Sequence, residues 1–228
     1  MIRLLWHTLA RQGKSMLGFP RLRGGGQAVA YDLADGDQQC YPQLLAPRRG
    51  TPIALPRRGK NCKRGLSESW LSFWMLRHRL KNFYDSTALH VPGHRYEPDL
   101  AYVDEARGIF IDIEVDEPYT FARRIPTHAM GRDDERNRLV TEAGWVVLRF
   151  SEQQALTTPE RVARTVIDVV RTIAPDVPLP RALRDVEPAV PEPRWDYQEA
   201  RRRAATRASD TYQRRNILYR LMNLCRPK

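Results

Sequence analysis

The chain has 228 residues, a formal net charge of +11 and an apolar share of 42%, enough for one medium core with polar appendages. Its three cysteines, Cys40, Cys62 and Cys225, fall at no C-x-x-C spacing, and its longest apolar runs are short. These features exclude a disulfide frame, a zinc knuckle and a membrane-spanning helix, and they read as reduced thiols in a cytoplasmic protein. The charge is uneven. Residues 1–64 carry a net of +9, residues 65–193 a net of −5 and residues 194–228 a net of +7. An acidic middle between basic flanks suits a polyanionic partner.

Taken in order, residues 1–65 form a basic Gly/Pro/Arg-rich extension. Ile2, Leu5, Trp6 and Leu9 fit a short amphipathic helix over residues 1–12, too broken for a secretory signal. Gly13-Lys14-Ser15 lacks the upstream glycine of a phosphate-binding loop, since Thr8 stands there. Loops follow, with short strands near Gln27–Asp32 and Thr51–Leu55. Regular order begins near Ser67, a fair N-cap, with Leu66, Trp70, Phe73, Trp74 and Leu80 as the apolar stripe of a helix. Glu68 sits in its first turn, where a carboxylate favours the helix N-terminus. Thr87–Val91 reads as a strand.

Residues 98–116 organise the chain. Leu100–Val103 and Ile109–Asp116 flank a short turn ending in Gly108, which predicts an antiparallel hairpin. In the second run Ile109, Ile111, Ile113 and Val115 share one face, and Phe110, Asp112, Glu114 and Asp116 the other. Three like charges along one strand repel, and a divalent cation is the simplest reason for them. The hairpin places Asp99 near the end of the partner strand, across from Glu114 and Asp116. The plain alternative is a solvated edge hairpin with its acids in water.

After Pro118, a loop carries Arg123, Arg124 and His128. Arg132–Ala143 then reads as a charged helix stopped by Gly144. Trp145–Phe150 is a buried strand. Thr158-Pro159 starts a helix whose core positions are Val162, Val166, Ile167, Val169, Val170 and Ile173. Residues 66–174 thus form one core. Residues 175–193, rich in proline, read as a semi-extended linker. Residues 194–228 read as a basic helical arm with Trp195, Tyr197, Ala200, Ala204, Tyr212, Ile217, Leu218, Leu221 and Met222 as its apolar set.

Four pieces carry a resemblance: Tyr96-Glu97-Pro98-Asp99-Leu100, Ile113-Glu114-Val115-Asp116, Arg132-Asp133-Asp134-Glu135-Arg136 and Gly144-Trp145-Val146-Val147-Leu148-Arg149-Phe150. In this order, over residues 68–173, the chain resembles the very-short-patch-repair and DUF559 branch of the PD-(D/E)xK nuclease superfamily. The resemblance implies an α/β, restriction-endonuclease-like αβββαβ core, a mixed central sheet flanked by helices, with the basic N- and C-terminal extensions added. It also implies Mg²⁺-dependent cleavage of phosphodiester bonds, with Mn²⁺ able to substitute. Asp99 and Glu114 match the two metal acids, joined by the Val115 carbonyl, and Glu68 matches the acid on the first helix. Asp116 stands where many members carry lysine, so His128, Arg132 or Arg136 is expected to supply the missing positive charge.

The expected function is therefore a metal-dependent DNA endonuclease, with Asp99, Glu114, Asp116, Glu68 and His128 as catalytic candidates. Asp99, Glu114, Val115 and Asp116 are the expected metal ligands. Phosphate contacts are expected from Arg132, Arg136, Arg201, Arg202, Arg203, Arg207, Arg214 and Arg215. RNA as substrate, a homodimer and a larger protein complex are left open, and no membrane partner is expected. The alternatives are a non-catalytic nucleic-acid-binding subunit and a protein-interaction module. The arm either reaches out to DNA or buries its aromatic residues against the core.

Overall fold

The computed structural model describes residues 17, 19–22, 26–59, 65–91, 93–120 and 123–213. The helix expected over residues 1–12, Cys62, Cys225, Arg214, Arg215 and the end of the basic arm lie outside the described residues. The elements in chain order are β1 (Cys40–Tyr41), β2 (Gln43–Leu45), β3 (Arg57–Arg58), α1 (Leu66–Arg77), β4 (Phe83–Tyr84), β5 (Thr87–Val91), β6 (His94–Tyr96), β7 (Leu100–Asp104), β8 (Ile109–Asp116), α2 (Asp134–Glu142), β9 (Val146–Ser151), α3 (Glu152–Thr157), α4 (Pro159–Ile173), β10 (Glu192–Pro193), α5 (Tyr197–Thr206) and α6 (Ser209–Gln213).

A five-stranded mixed sheet in the order β2-β9-β8-β7-β4 forms the centre. β8 and β9 run parallel, joined by the crossover through α2, and the other pairs are antiparallel. The hairpin forms as the alternation predicts, and its turn is a 3-10 turn capped by Asp104 and closed by left-handed Gly108. All eight residues of β8 are buried. β8 lies between β7 and β9, so its acidic face is interior and not a solvated edge.

The two faces of β8 belong to two cores. Ile109, Ile111, Ile113 and Val115 pack under α1, α3 and α4 with Leu71, Ala155, Val162, Val166 and Val170. Phe110 packs on the other face with Val140, Ala143 and Trp145, and with Val29 and Ile53 from the N-terminal segment. The small residues and prolines of residues 26–59 hid real structure. Val29 N–H donates to the Thr51 carbonyl (2.9 Å) and Ile53 N–H to that of Gln27 (2.9 Å), which makes an isolated antiparallel bridge between Ala28 and Pro52 where two short strands were expected. The sequence reading missed β2, a three-residue edge strand that extends the central sheet against β9. It is too short to show alternation.

Three further expectations change. The strand Thr87–Val91 forms as β5, but it joins β3 and β6 in a separate sheet, and the two-residue β4 takes the edge position beside β7. In α1 the residues buried in the core are Ser67, Leu71, Ser72 and Met75; of the expected stripe Trp74 and Leu80 pack on the first core, while Trp70 and Phe73 are half-buried and stack on each other. Its apolar and polar residues are mixed around the helix, so periodicity did not choose its inner face. It starts one residue before Ser67, with Gly65 as N-cap.

Residues 174–193 are extended but packed. Val177, Leu179, Leu183, Val186 and Ala189 lie on the first core, and Arg164 Nη1 donates to the carbonyls of Leu183 (3.0 Å) and Val186 (2.6 Å). The strap ends by pairing β10 with β1. The arm then docks. Trp195 is buried against Tyr41, with ring centroids 5.0 Å apart, and its indole N–H donates to the Thr127 carbonyl (3.1 Å). Ala200 and Ala204 are buried as well, whereas Tyr197 is exposed.

Gly144 ends α2 as the charged-helix reading requires. Its N–H donates to the Thr141 carbonyl and that of Trp145 to the Val140 carbonyl, a Schellman closure with Gly144 at φ +81°. A Cβ there would lie 2.9 Å from both Ile53 Cα and the Pro52 oxygen. Gly144→Ala is expected to destabilise the protein by at least about 2 kcal/mol, from left-handed strain plus that clash. At ~2–4 °C per kcal/mol this is a drop of roughly 4–8 °C in Tm, read by thermal melting.

Candidate functional site

The acids gather where β7 begins and β8 ends. β7 and β8 pair Leu100 with Ile113, so Asp99, one residue earlier, lies across from Glu114. Asp99 Oδ2 accepts the Val115 N–H at 2.8 Å. Burial, then the charges of Glu114 and Glu68, holds the Asp99 carboxyl well above the usual carboxylate range, against the pull of that N–H and of Arg136. Asp99, Glu114 and Glu68 therefore share one electrostatic environment. Glu68 reaches it from the first turn of α1.

Sequence reasoning missed Glu117. A Cβ on Gly65 would lie 2.8 Å from Glu117 Oε1 and 3.2 Å from Glu68 Oε1, so two carboxylates close on the bare backbone of the α1 N-cap. Burial, followed by the charges of Glu152 and Asp99, pushes the Glu117 pKa up to about 7. The available signal was an acid placed directly after Asp116 and before the strand-ending Pro118. Asp112 is a different case. It is buried, and burial and the Glu114 charge keep it well above the usual range.

Two arginines occupy this acidic face. Arg136, projecting from α2, is ion-paired with Glu114 and lies over the Tyr96 ring at 5.6 Å. Arg149 of β9 is fully buried and grips Asp116 with two bonds, Nε to Oδ2 at 3.0 Å and Nη2 to Oδ1 at 2.6 Å. The Tyr41 hydroxyl donates to the same Oδ2 at 2.8 Å, and Arg149 Nη1 donates to Asn137 Oδ1 at 2.8 Å. Asp116 is thus held by Arg149 and Tyr41, and among the described residues it forms no close ligand group with Asp99 and Glu114. Among the described residues, the metal-type group whose ligand atoms all lie within 4.8 Å of one another is Asp116, His128 and Asp133. Arg149 Nη2 already stands among the three, 3.2 Å from Asp133 Oδ2 and from His128 Nδ1. A guanidinium fills the place of a cation.

His128 sits in left-handed backbone at φ 49° with Nδ1 3.0 Å from Asp133 Oδ2. Burial opposes its charge, but the bond to Asp133 and the charges of Asp116 and Asp133 outweigh it and push its pKa up to about 9. At neutral pH it is a cation, which suits charge compensation and not a general base. Asp133 is held at about 2 in spite of burial, by His128 and Arg149. The shift is larger on His128 because it faces two carboxylates. Its stabilisation is complete below the ordinary histidine pKa of 6.5 and is lost as pH rises through 9. That of Asp133 is present above its ordinary 3.8 and is lost as pH falls through 2. Urea unfolding should therefore show a stability loss of up to about 3 kcal/mol between pH 6.5 and 9, at ~1.4 kcal/mol per pH unit. His128→Gln should lack that step, and an unchanged step in the variant would place its origin elsewhere.

The candidate phosphate contacts divide. Arg132, Arg201 and Arg207 are exposed, whereas Arg202 and Arg203 are tied to Glu199, and Arg203 also covers the Trp195 ring at 5.0 Å. The docked arm closes beside the acids. Ser209 N–H donates to the Tyr119 hydroxyl (3.1 Å), and Ser209 Oγ and the Tyr212 hydroxyl both donate to Glu152 Oε2 (2.8 and 2.7 Å). Comparison with models of known families, with curated proteins and with solved structures finds no match to this chain. No helix among the described residues is long and apolar enough to cross a membrane.

Proposed function

We propose that the chain is a metal-dependent nuclease that hydrolyses phosphodiester bonds in DNA. The observation that carries the reading is Asp99 facing Glu114 across neighbouring strands, with Glu68 close enough to raise the Asp99 pKa. Carboxylates crowded out of water repel one another, and a hard divalent cation with oxygen ligands relieves that repulsion. The element order supports it: α1, three antiparallel strands β4-β7-β8, α2, then β9 parallel to β8, the αβββαβ order that the resemblance implies.

The donor set fits Mg²⁺ or Mn²⁺. Asp99 and Glu114 would hold the ion. Val115 N–H points at Asp99, and in a strand the carbonyl of the same residue points the same way, which makes it the third oxygen. A bound ion supplies phosphate polarisation and a more acidic water. The chain's own part is charge and position. Arg136, a quarter exposed at the mouth and paired with Glu114, offers the positive charge that Asp116 cannot. Asp116 and Arg149 fix the floor between β8 and β9.

Incubation of supercoiled plasmid with Mg²⁺ or Mn²⁺, with EDTA as control, tests the proposal. EDTA-sensitive nicking or linearisation is the expected result. Intact plasmid, linear duplex and single strand under both metals would end the reading. One observation favours a second reading, a non-catalytic nucleic-acid-binding subunit: Glu114 and Asp116 already have internal arginine partners. DNA binding without cleavage, and without any Tm rise on adding Mn²⁺, would select it.

A further inference from the structure

A groove lies between the loop that follows β8 and helix α5, lined by Arg124, Pro126, Tyr197, Arg201, Ala204 and Ala205, with about 260 Å³ of free space. Its walls are anchored. Arg124 N–H donates to the Thr120 carbonyl (2.8 Å), Thr120 N–H to that of Ile125 (2.9 Å), and Thr127 N–H to that of Pro118 (3.1 Å). These bonds hold Arg124 in left-handed backbone at φ 52°, an uncommon state for a residue other than glycine. The opposite wall is fixed by the Trp195 indole on the Thr127 carbonyl and by the Asp196 cap of α5.

The cations at the rim are available. Arg124 and Arg201 are exposed and make no ion pair among the described residues, unlike Arg202 and Arg203 beside them. Tyr197 is 51% exposed and lines the groove together with the small side chains of Ala204 and Ala205. The space is just below the ~300–1,000 Å³ of enclosed small-molecule sites and opens to solvent, which suits a passing strand better than a sequestered ligand. The groove is also near the acids. Thr120, which holds Arg124, is six residues beyond Glu114, at most ~20 Å at ~3.3 Å per strand residue. That span is about six base steps of duplex at ~3.4 Å each.

We propose that this groove takes a backbone phosphate of a nucleic-acid strand, held between Arg124 and Arg201, on a strand that also passes the acidic site. The placement rests on the nuclease reading, but the binding is separable from it. The test uses the full chain in EDTA with a fluorescein-labelled duplex, titrated at several salt concentrations. Arg124→Gln with Arg201→Gln should weaken binding roughly tenfold or more and flatten the slope of log affinity against log salt by ~0.9 per lost contact. Arg124→Lys with Arg201→Lys should keep most of both.

A double glutamine variant with wild-type melting, affinity and slope overturns the inference, as does a wild-type chain that binds no DNA. Displacement of the DNA by an equal concentration of polyglutamate overturns it in favour of an acidic protein partner. Without metal the assay is blind to cleavage. Binding through the groove with no nuclease activity sinks the nuclease reading alone. Cleavage by a chain whose double variant binds as wild type sinks the groove alone.

Discussion

Asp99→Ala and Glu114→Ala should each lower the rate of metal-dependent plasmid cleavage by at least about a thousandfold. A ligated metal contributes several kcal/mol of charge stabilisation, and ~4 kcal/mol corresponds to a factor of about a thousand in rate. DNA affinity should hold or rise in both variants, because each removes a negative charge facing phosphate. Asp99→Asn sharpens the test. Its carboxyl is buried and raised by Glu114 and Glu68, so the neutral amide should leave the metal-free protein as stable as the wild type or more so. Loss of cleavage in a variant that melts no earlier than wild type points to the carboxylate and not to unfolding. If both alanine variants cleave at the wild-type rate in Mg²⁺, the site lies elsewhere.

How much of this was legible depended on local pattern. Ile109–Asp116 announced itself because a strand repeats every two residues, so apolar and acidic faces separate in the one-dimensional text. Gly144 was readable for the same kind of reason, since a helix end needs a left-handed residue. What stayed hidden came from the chain folding back. Glu117 meets Glu68 only because the N-terminus of α1 packs against the exit of β8. β2 is visible only through its partner β9. Arg149 left a signal that the apolar run masked: one cation in the otherwise apolar Val146–Phe150, on a strand beside one carrying carboxylates at every second position. In register Arg149 stands beside Glu114 and reaches diagonally to Asp116. The expectation that Asp116 would join the metal acids ignored the cation one strand away.

That cation carries the largest expected stability effect. Arg149→Met should cost about 3–5 kcal/mol, the usual consequence of removing one partner of a buried ion pair, because Asp116 is as fully buried as Arg149. In a chain of this size this is on the order of 10 °C in Tm. The Tyr41 hydroxyl and the His128 ring, 3.4 Å from Oδ1, would remain on Asp116, but His128 is shared with Asp133 and neither replaces the two-bonded guanidinium. Adding Asp116→Leu to Arg149→Met should restore at least half of the loss, since a buried pair replaced by apolar groups is often close to neutral. A single variant costing less than about 1 kcal/mol would mean that water or a cation reaches Asp116 when Arg149 is gone. The same series locates the metal. If Asp99 and Glu114 hold it, Asp116→Asn keeps a Mn²⁺-dependent rise in Tm and Asp99→Asn loses it. If instead the group of Asp116, His128 and Asp133 is a metal site that Arg149 merely blocks, Arg149→Met gains a Mn²⁺-dependent rise that the wild type lacks. The first pattern keeps Arg149 as the floor of the site, and the second makes it the residue that closes a competing one.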